Sequence, residues 1–139
     1  SMTTFVERED QAALKCGQVV ISDRYAESTL AYQGYGHGLD LDVLQRVTDL
    51  ATDGLLPDLV IYLDLDVGIG LQRKRRDHQE GRGEWNRMDE KDIDFHRRVR
   101  VGYLRMARQD PDRWMIIDAT QPIEAIHQAI CNRVEELLR

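Results

Sequence analysis

Three short apolar runs punctuate the chain: "QVVIS" at 18–22, "LVIYLDL" at 59–65 and "WMIID" at 114–118. Each is rich in Val or Ile, and none alternates strictly between apolar and polar residues. Such runs predict strands covered on both faces, as in a parallel sheet. Between them the spacing becomes helical. Val43, Leu44, Val47, Leu50 and Ala51 recur at helical intervals after Asp40, a good N-cap, and Gly54 and Pro57 stop the helix. Phe95, Val99, Tyr103 and Met106 form an i, i+4, i+8, i+11 stripe along a charged helix. Ile123, Ile126, Ile130, Val134 and Leu137 make a last amphipathic helix, opened by Pro122. Strand, helix, strand, helices, strand, helix predicts an α/β fold with a mainly parallel sheet flanked by helices.

One segment departs from this pattern. "QRKRRDHQEGRGEWNR", at 72–87, holds five arginines, one lysine and two glycines but almost nothing to bury. It reads as a loop between two helices. A solvated charged face would explain it, but its place after the second strand points to work at the strand ends.

Composition narrows the field. The 139 residues suit one domain, and 42% hydrophobic with 32% charged residues is ordinary for a globular chain. Mean hydropathy is −0.52, and no apolar run approaches the roughly 18 residues that span a bilayer. The first residues lack the features of a signal peptide, and Ser1-Met2 reads as a tag remnant before a start residue. Net charge is −6, which argues against a nucleic-acid binder. Cys16 and Cys131 show no metal or redox spacing and read as reduced thiols of a cytoplasmic protein. His37, His78, His96 and His127 lack metal-ligand spacing.

The densest chemistry is "SDRYAESTLAYQG", at 22–34, where the first apolar run ends. Ligands of open α/β sheets bind beyond the carboxyl ends of strands. There the Arg24 guanidinium can clamp a phosphate with two parallel hydrogen bonds. Asp23 can orient it or hold a hydrated Mg²⁺. Thr29 and Gln33 offer groups that read the edge of a base, and Tyr32 can pack against a sugar. Asp23 with Arg24 also suits a simple salt bridge at a strand end. Asp64 and Asp66 suit a sheet-end or helix N-cap role.

The whole string "DRYAESTLAYQGYGHGLD" resembles the Asp-Arg-Tyr/His motif of thymidylate kinases, which phosphorylate dTMP to dTDP with ATP. "GLLPDLVIYLDLDVGIGLQR" is similar to that family's fourth strand and following helix. "NRMDEKDIDFHRRVRVGYLRMA" resembles the end of its lid and the next helix. "WMIIDATQPIEAIHQAI" resembles its last strand, adenine-side loop and C-terminal helix. The four motifs stand in the family's order and cover essentially residues 10–139, leaving 72–87 as the lid inside a partial kinase domain over 3–139.

The resemblance implies roles residue by residue. Arg24 contacts the phosphates at the transfer site, with Asp23 beside it near Mg²⁺. Thr29 and Gln33 bind thymine, and Tyr32 lies against the deoxyribose and disfavours a ribose 2′-OH. Arg73, Arg75, Arg76 and Arg82 include the lid arginines brought onto ATP. Arg87 and Arg100 flank the acidic patch of the next helix, and Asp89 stands where the family usually has the longer Glu. Asp118, Ala119, Thr120 and Gln121 form the loop beside adenine. The implied cofactors are ATP and Mg²⁺, and the implied setting is cytoplasmic dTTP biosynthesis.

No G-x-x-x-x-G-K-[ST] occurs in the 139 residues. The family's P-loop would precede residue 3, on a strand between the first two runs. Without it the isolated chain is expected to have little kinase activity, because the backbone N–H cradle and phosphate lysine are missing. The gap in the sheet is expected to be met by homodimerisation, with strand exchange as one route. Two other readings remain at this point. One is a non-catalytic kinase-like module that binds a nucleotide or protein partner. The other is nucleic-acid binding through the arginine-rich segment, against which Asp77, Glu80 and Glu84 interrupt the run and Trp85 is its one aromatic.

Overall fold

A computed structural model describes residues 8–81 and 90–139. In chain order the elements are α1 (Arg8–Lys15), α2 (Ala26–Thr29), a π-helix (Leu30–Gly36), α3 (Leu41–Thr52), β1 (Val60–Asp64), α4 (Val67–Gln79), α5 (Glu90–Gln109), β2 (Trp114–Asp118) and α6 (Ile123–Leu138).

β1 and β2 form a parallel pair in register from Val60 opposite Trp114 to Asp64 opposite Asp118. Both lie inside runs that the sequence marks as strands. The loops before them are tied together by Arg113. Its guanidinium donates to the Pro57 carbonyl at 3.0 Å and pairs with Asp110. Past the strand ends, the Ala119 amide donates to the Asp64 carbonyl at 2.9 Å.

The third expected strand is a correction. Residues 18–22 carry no strand, and Val19 and Ile21 are 63% and 90% exposed. A strand needs a neighbour to take its N–H and C=O groups, and the described sheet has only β1 and β2. Val19 and Ile21 are left uncovered there, while Val20 is half-buried.

α3 begins as expected, with the Asp40 carboxylate accepting from the Asp42 and Val43 amides. It ends at Asp53 and Gly54, both with positive φ. Its buried face differs from the apolar stripe, however. Leu44, Thr48 and Thr52 point inward, while Val43, Val47 and Leu50 are exposed. The buried hydroxyls are satisfied within the helix: Thr48 donates to the Gln45 carbonyl and Thr52 to that of Thr48. Polarity is therefore no bar to burial here.

The core forms where α5 lies against the π-helix. Ala31, Val99, Ala107, Trp114 and Ile117 are all buried. Two glycines permit the approach. A Cβ on Gly36 would stand 2.5 Å from Phe95 Cε2, and one on Gly102 would stand 2.5 Å from Tyr35 Cδ2. The Arg98 guanidinium donates to the Gly36 carbonyl at 3.1 Å, satisfying the end of the π-helix from α5. Among the described residues, no helix is long and apolar enough to cross a membrane.

Gly102→Ala gains helix propensity but drives a methyl group into the Tyr35 ring. Overpacking of this kind costs about 1–3 kcal/mol. A urea melt should show a lower midpoint for Gly102→Ala, while Val101→Ala, at an exposed position, should change stability by less than about 0.5 kcal/mol. Equal midpoints for Gly102→Ala and the unaltered chain would contradict the packing.

Candidate functional site

The site begins at a tight turn. The Ser22 hydroxyl donates to the Arg24 carbonyl at 2.8 Å, and Arg24 takes φ 69°, a left-handed conformation unusual for a side-chain-bearing residue. α2 then runs into the π-helix, whose wider turn holds Tyr32 and Gln33. Such turns recur at functional sites. The Tyr32 ring meets Phe95 at 6.0 Å and the edge of Tyr103 at 6.4 Å. The Arg24 guanidinium stands over the ring, 5.4 Å from its centre.

Beside Tyr32 lies a cavity of about 250 Å³, between α4, α5 and the end of β1. Its polar lining is Tyr32, Tyr62, Asp66, Lys74, His96 and Arg100, with Tyr103 as a further wall. Tyr103 stacks on Tyr62 with ring centres 4.6 Å apart, and its hydroxyl donates to Ser28 Oγ at 3.0 Å. Burial, reinforced by the nearby Asp64 carboxylate, pushes the Tyr62 phenol up to about 12. Burial also raises Tyr103, partly offset by its bond to Ser28. Both phenols stay neutral at neutral pH.

At the strand end, Arg100 grips Asp64 with two hydrogen bonds, at 2.7 and 3.1 Å, and lies 3.6 Å from Asp66. The Asp64 hydrogen bond holds the guanidinium pKa above its ordinary value. Asp66 also caps α4, accepting from the Gly68 amide at 2.9 Å. These two carboxylates are engaged in structure.

A second cluster joins α4 to the loop after β2. Arg73 donates to the Ala119 carbonyl at 3.2 Å. The Asp118 carboxylate accepts from the Thr120 amide and hydroxyl, and Gln121 donates to the Asp118 carbonyl. Those Thr120 bonds hold the Asp118 carboxyl below its usual range.

The structure thus brings Arg24 to Tyr32, and Arg73 to the loop of Asp118, Ala119, Thr120 and Gln121. Asp23 is exposed and Gln33 half-buried, whereas Thr29 is buried. The loop expected over 72–87 is corrected in its first half: residues 72–79 continue α4 as helix, and Arg75 and Arg76 lie exposed on it. Arg82, Glu84, Trp85, Arg87 and Asp89 fall outside the described residues, as does Ser1-Met2. Tyr62, Lys74 and His96 are cavity residues that the sequence did not single out. Tyr62 is hidden inside an apolar run, and Lys74 and His96 sit among charged neighbours. Only the fold shows that they line one space.

Among the described residues, no three His, Cys, Asp or Glu side chains group closely enough to cage a metal ion. Hydrated Mg²⁺ needs less, since it keeps several waters and takes one or two carboxylates. The exposed Asp23 carboxylate fits that demand.

A sequence profile described as "Thymidylate kinase" matches residues 2–130. A thymidylate kinase of Roseiflexus castenholzii is 47% identical over 133 residues, which cover 90% of this chain and 58% of the relative. One of Thermosynechococcus vestitus is 50% identical over 117 residues, 84% of this chain and 46% of the relative. One of Deinococcus radiodurans is 45% identical over 124 residues, 89% of this chain and 58% of the relative. These matches tie the chain to a family of the P-loop kinase fold, of which the described residues show a two-stranded parallel sheet with helices. The chain belongs to the thymidylate kinase family. It spans about half the length of these relatives.

Behind α2 a second cavity, of about 310 Å³, holds the Glu27 side chain. Burial raises the Glu27 carboxyl pKa, outweighing a backbone hydrogen bond and the Arg113 charge. The folded value lies above the unfolded one, so ionisation opposes folding. The cost is absent below the unfolded value near 4.5 and grows as pH rises through the folded value. Glu27→Gln should therefore raise the denaturation midpoint at pH 7 relative to the unaltered chain, with the gain shrinking at pH 4. A gain equal at both pH values would contradict this account.

Proposed function

We propose that this chain carries the acceptor site and lid of a kinase that transfers the γ-phosphoryl group of ATP to dTMP, giving dTDP and ADP. The observation that supports it most is the Arg24 guanidinium over the Tyr32 ring, at the start of a motif shared with the family. A phosphate clamp and a sugar platform stand within one side chain's reach. Thr29 and Gln33 serve the thymine edge, Gln33 the more accessible of the two. Arg73, Arg75, Arg76, Arg82 and Arg87 supply the lid charge. Asp118, Ala119, Thr120 and Gln121 form the adenine-side loop.

Phosphoryl transfer asks the protein for positioning and charge neutralisation. An oxygen of the dTMP phosphate attacks the γ-phosphorus as the bond to the ADP oxygen breaks. Arg24 steadies the acceptor phosphate, and the lid arginines spread over the transferring group. Mg²⁺, when bound near Asp23, supplies further neutralisation of the phosphate oxygens. The setting is cytoplasmic nucleotide biosynthesis.

The 139 residues contain no phosphate-cradling G-x-x-x-x-G-K-[ST]. Tested as this polypeptide alone, the chain should bind dTMP but turn it over little. Calorimetry should show dTMP binding that Arg24→Ala weakens about tenfold or more, the worth of a charge-assisted hydrogen bond. A coupled assay should show no ADP release dependent on both dTMP and ATP. Absence of dTMP binding would overturn the acceptor-site reading, and robust turnover would overturn the expected inactivity.

The homodimer belongs to the same proposal. Val43, Val47 and Leu50 form an exposed apolar face on α3, next to exposed Leu39 and Leu41. Such a face is normally covered by a partner, and a second copy presents the same surface to it about a two-fold axis. The open edge of β1 supports strand exchange as the additional route. Light scattering at micromolar concentration should give a dimer that Val47→Glu dissociates. A monomeric unaltered chain would contradict it.

A further inference from the structure

Arg24 and Tyr32 are more than neighbours on the motif. Arg24 holds a left-handed backbone, φ 69°, which costs a side-chain-bearing residue energy that the surroundings must supply. The Ser22 hydroxyl, bonded to the Arg24 carbonyl at 2.8 Å, helps to hold that turn. The result directs the guanidinium back over a ring eight residues further on, 5.4 Å from its centre. The ring itself is fixed. Phe95 and Tyr103 pack around it, and the π-helix carrying it is closed by the Arg98 bond to the Gly36 carbonyl. A strained arginine is thus parked on a rigid aromatic platform.

We infer that Arg24 and Tyr32 form a self-occluding pair that selects phosphorylated deoxynucleosides over their separate parts. The inference rests on the acceptor-site reading given above. A sugar that takes the Tyr32 ring must lift the guanidinium away. A phosphate that takes the guanidinium must draw it off the ring. Thymidine alone displaces Arg24 and offers it nothing in return. Inorganic phosphate engages Arg24 and leaves the ring uncovered. A nucleoside monophosphate does both, so the sugar replaces the cation on the ring while the phosphate receives the cation. Each lone fragment bears the loss of one cation–π contact, a penalty of about two- to fivefold in affinity at an exposed site.

Proton NMR of the full 139-residue chain reads the parked state directly. The Arg24 δ-methylene protons should lie upfield in the free protein, under the Tyr32 ring current, and return downfield in Tyr32→Leu. Saturating dTMP should move them downfield in the unaltered chain, together with shifts at Thr29 and Gln33, and thymidine, which must also lift the guanidinium, should do so only at higher concentration. Inorganic phosphate should bind Tyr32→Leu about two- to fivefold more tightly than the unaltered chain. If Tyr32→Leu does not fold, the dTMP titration of the unaltered chain decides alone. Upfield protons that stay in place while Thr29 and Gln33 respond would overturn the inference and spare the acceptor-site reading. Protons with no upfield shift in the free chain would overturn it as well. If dTMP moves none of these residues, the acceptor-site reading fails and the inference falls with it.

Discussion

α5 and the π-helix meet at glycine-to-ring distance, and the candidate site is assembled from the consequences of that contact. Gly36 gives way to Phe95 and Val99, and Gly102 to Tyr35. Each contact removes apolar surface from water and locks one helix against the other. The same line of contact fixes the Tyr32 ring between Phe95 and Tyr103. Two absent Cβ atoms therefore determine where the Tyr32 ring stands. Arg98, reaching across to the Gly36 carbonyl, seals the joint electrostatically.

Charge is organised around this joint by giving individual arginines definite partners. Arg100 is bound to Asp64 and reaches Asp66, so the carboxylates at the end of β1 are balanced before any ligand arrives. Arg73 is bound to the Ala119 carbonyl and stiffens the loop after β2. Arg24 rests on an aromatic face, a weaker hold than a paired carboxylate. A guanidinium held that lightly costs little for a phosphate to recruit. The division follows from the partners rather than from the arginines, which are chemically alike.

Much of the frame was legible in the sequence because local rules decided it. The runs at 59–65 and 114–118 became β1 and β2, and Asp40 and Gly54 bounded α3. The run at 18–22 is similar in composition but has no neighbouring strand among the described residues, and composition cannot create one. α3 misled for a related reason. Its valines mark an apolar stripe, yet Thr48 and Thr52 take the buried side because their hydroxyls bond back into the helix. The motif at 22–34 stood out in the sequence by its density of polar groups, and the structure brings two of them, Arg24 and Tyr32, together. The cavity did not stand out, since Tyr62, Lys74 and His96 come together only through the packing of β1, α4 and α5.

The central claim is that the π-helix on α5 holds an acceptor site shaped for a deoxyribose monophosphate, with Tyr32 as its platform. Equilibrium binding of dTMP against its ribose counterpart, differing by one 2′-hydroxyl, tests it most directly. The account predicts dTMP binding at least about tenfold more tightly, because a hydroxyl pressed against the face of the Tyr32 ring would lose its water without gaining a hydrogen bond. Equal affinities would mean that Tyr32 does not meet the sugar, and would contradict the account.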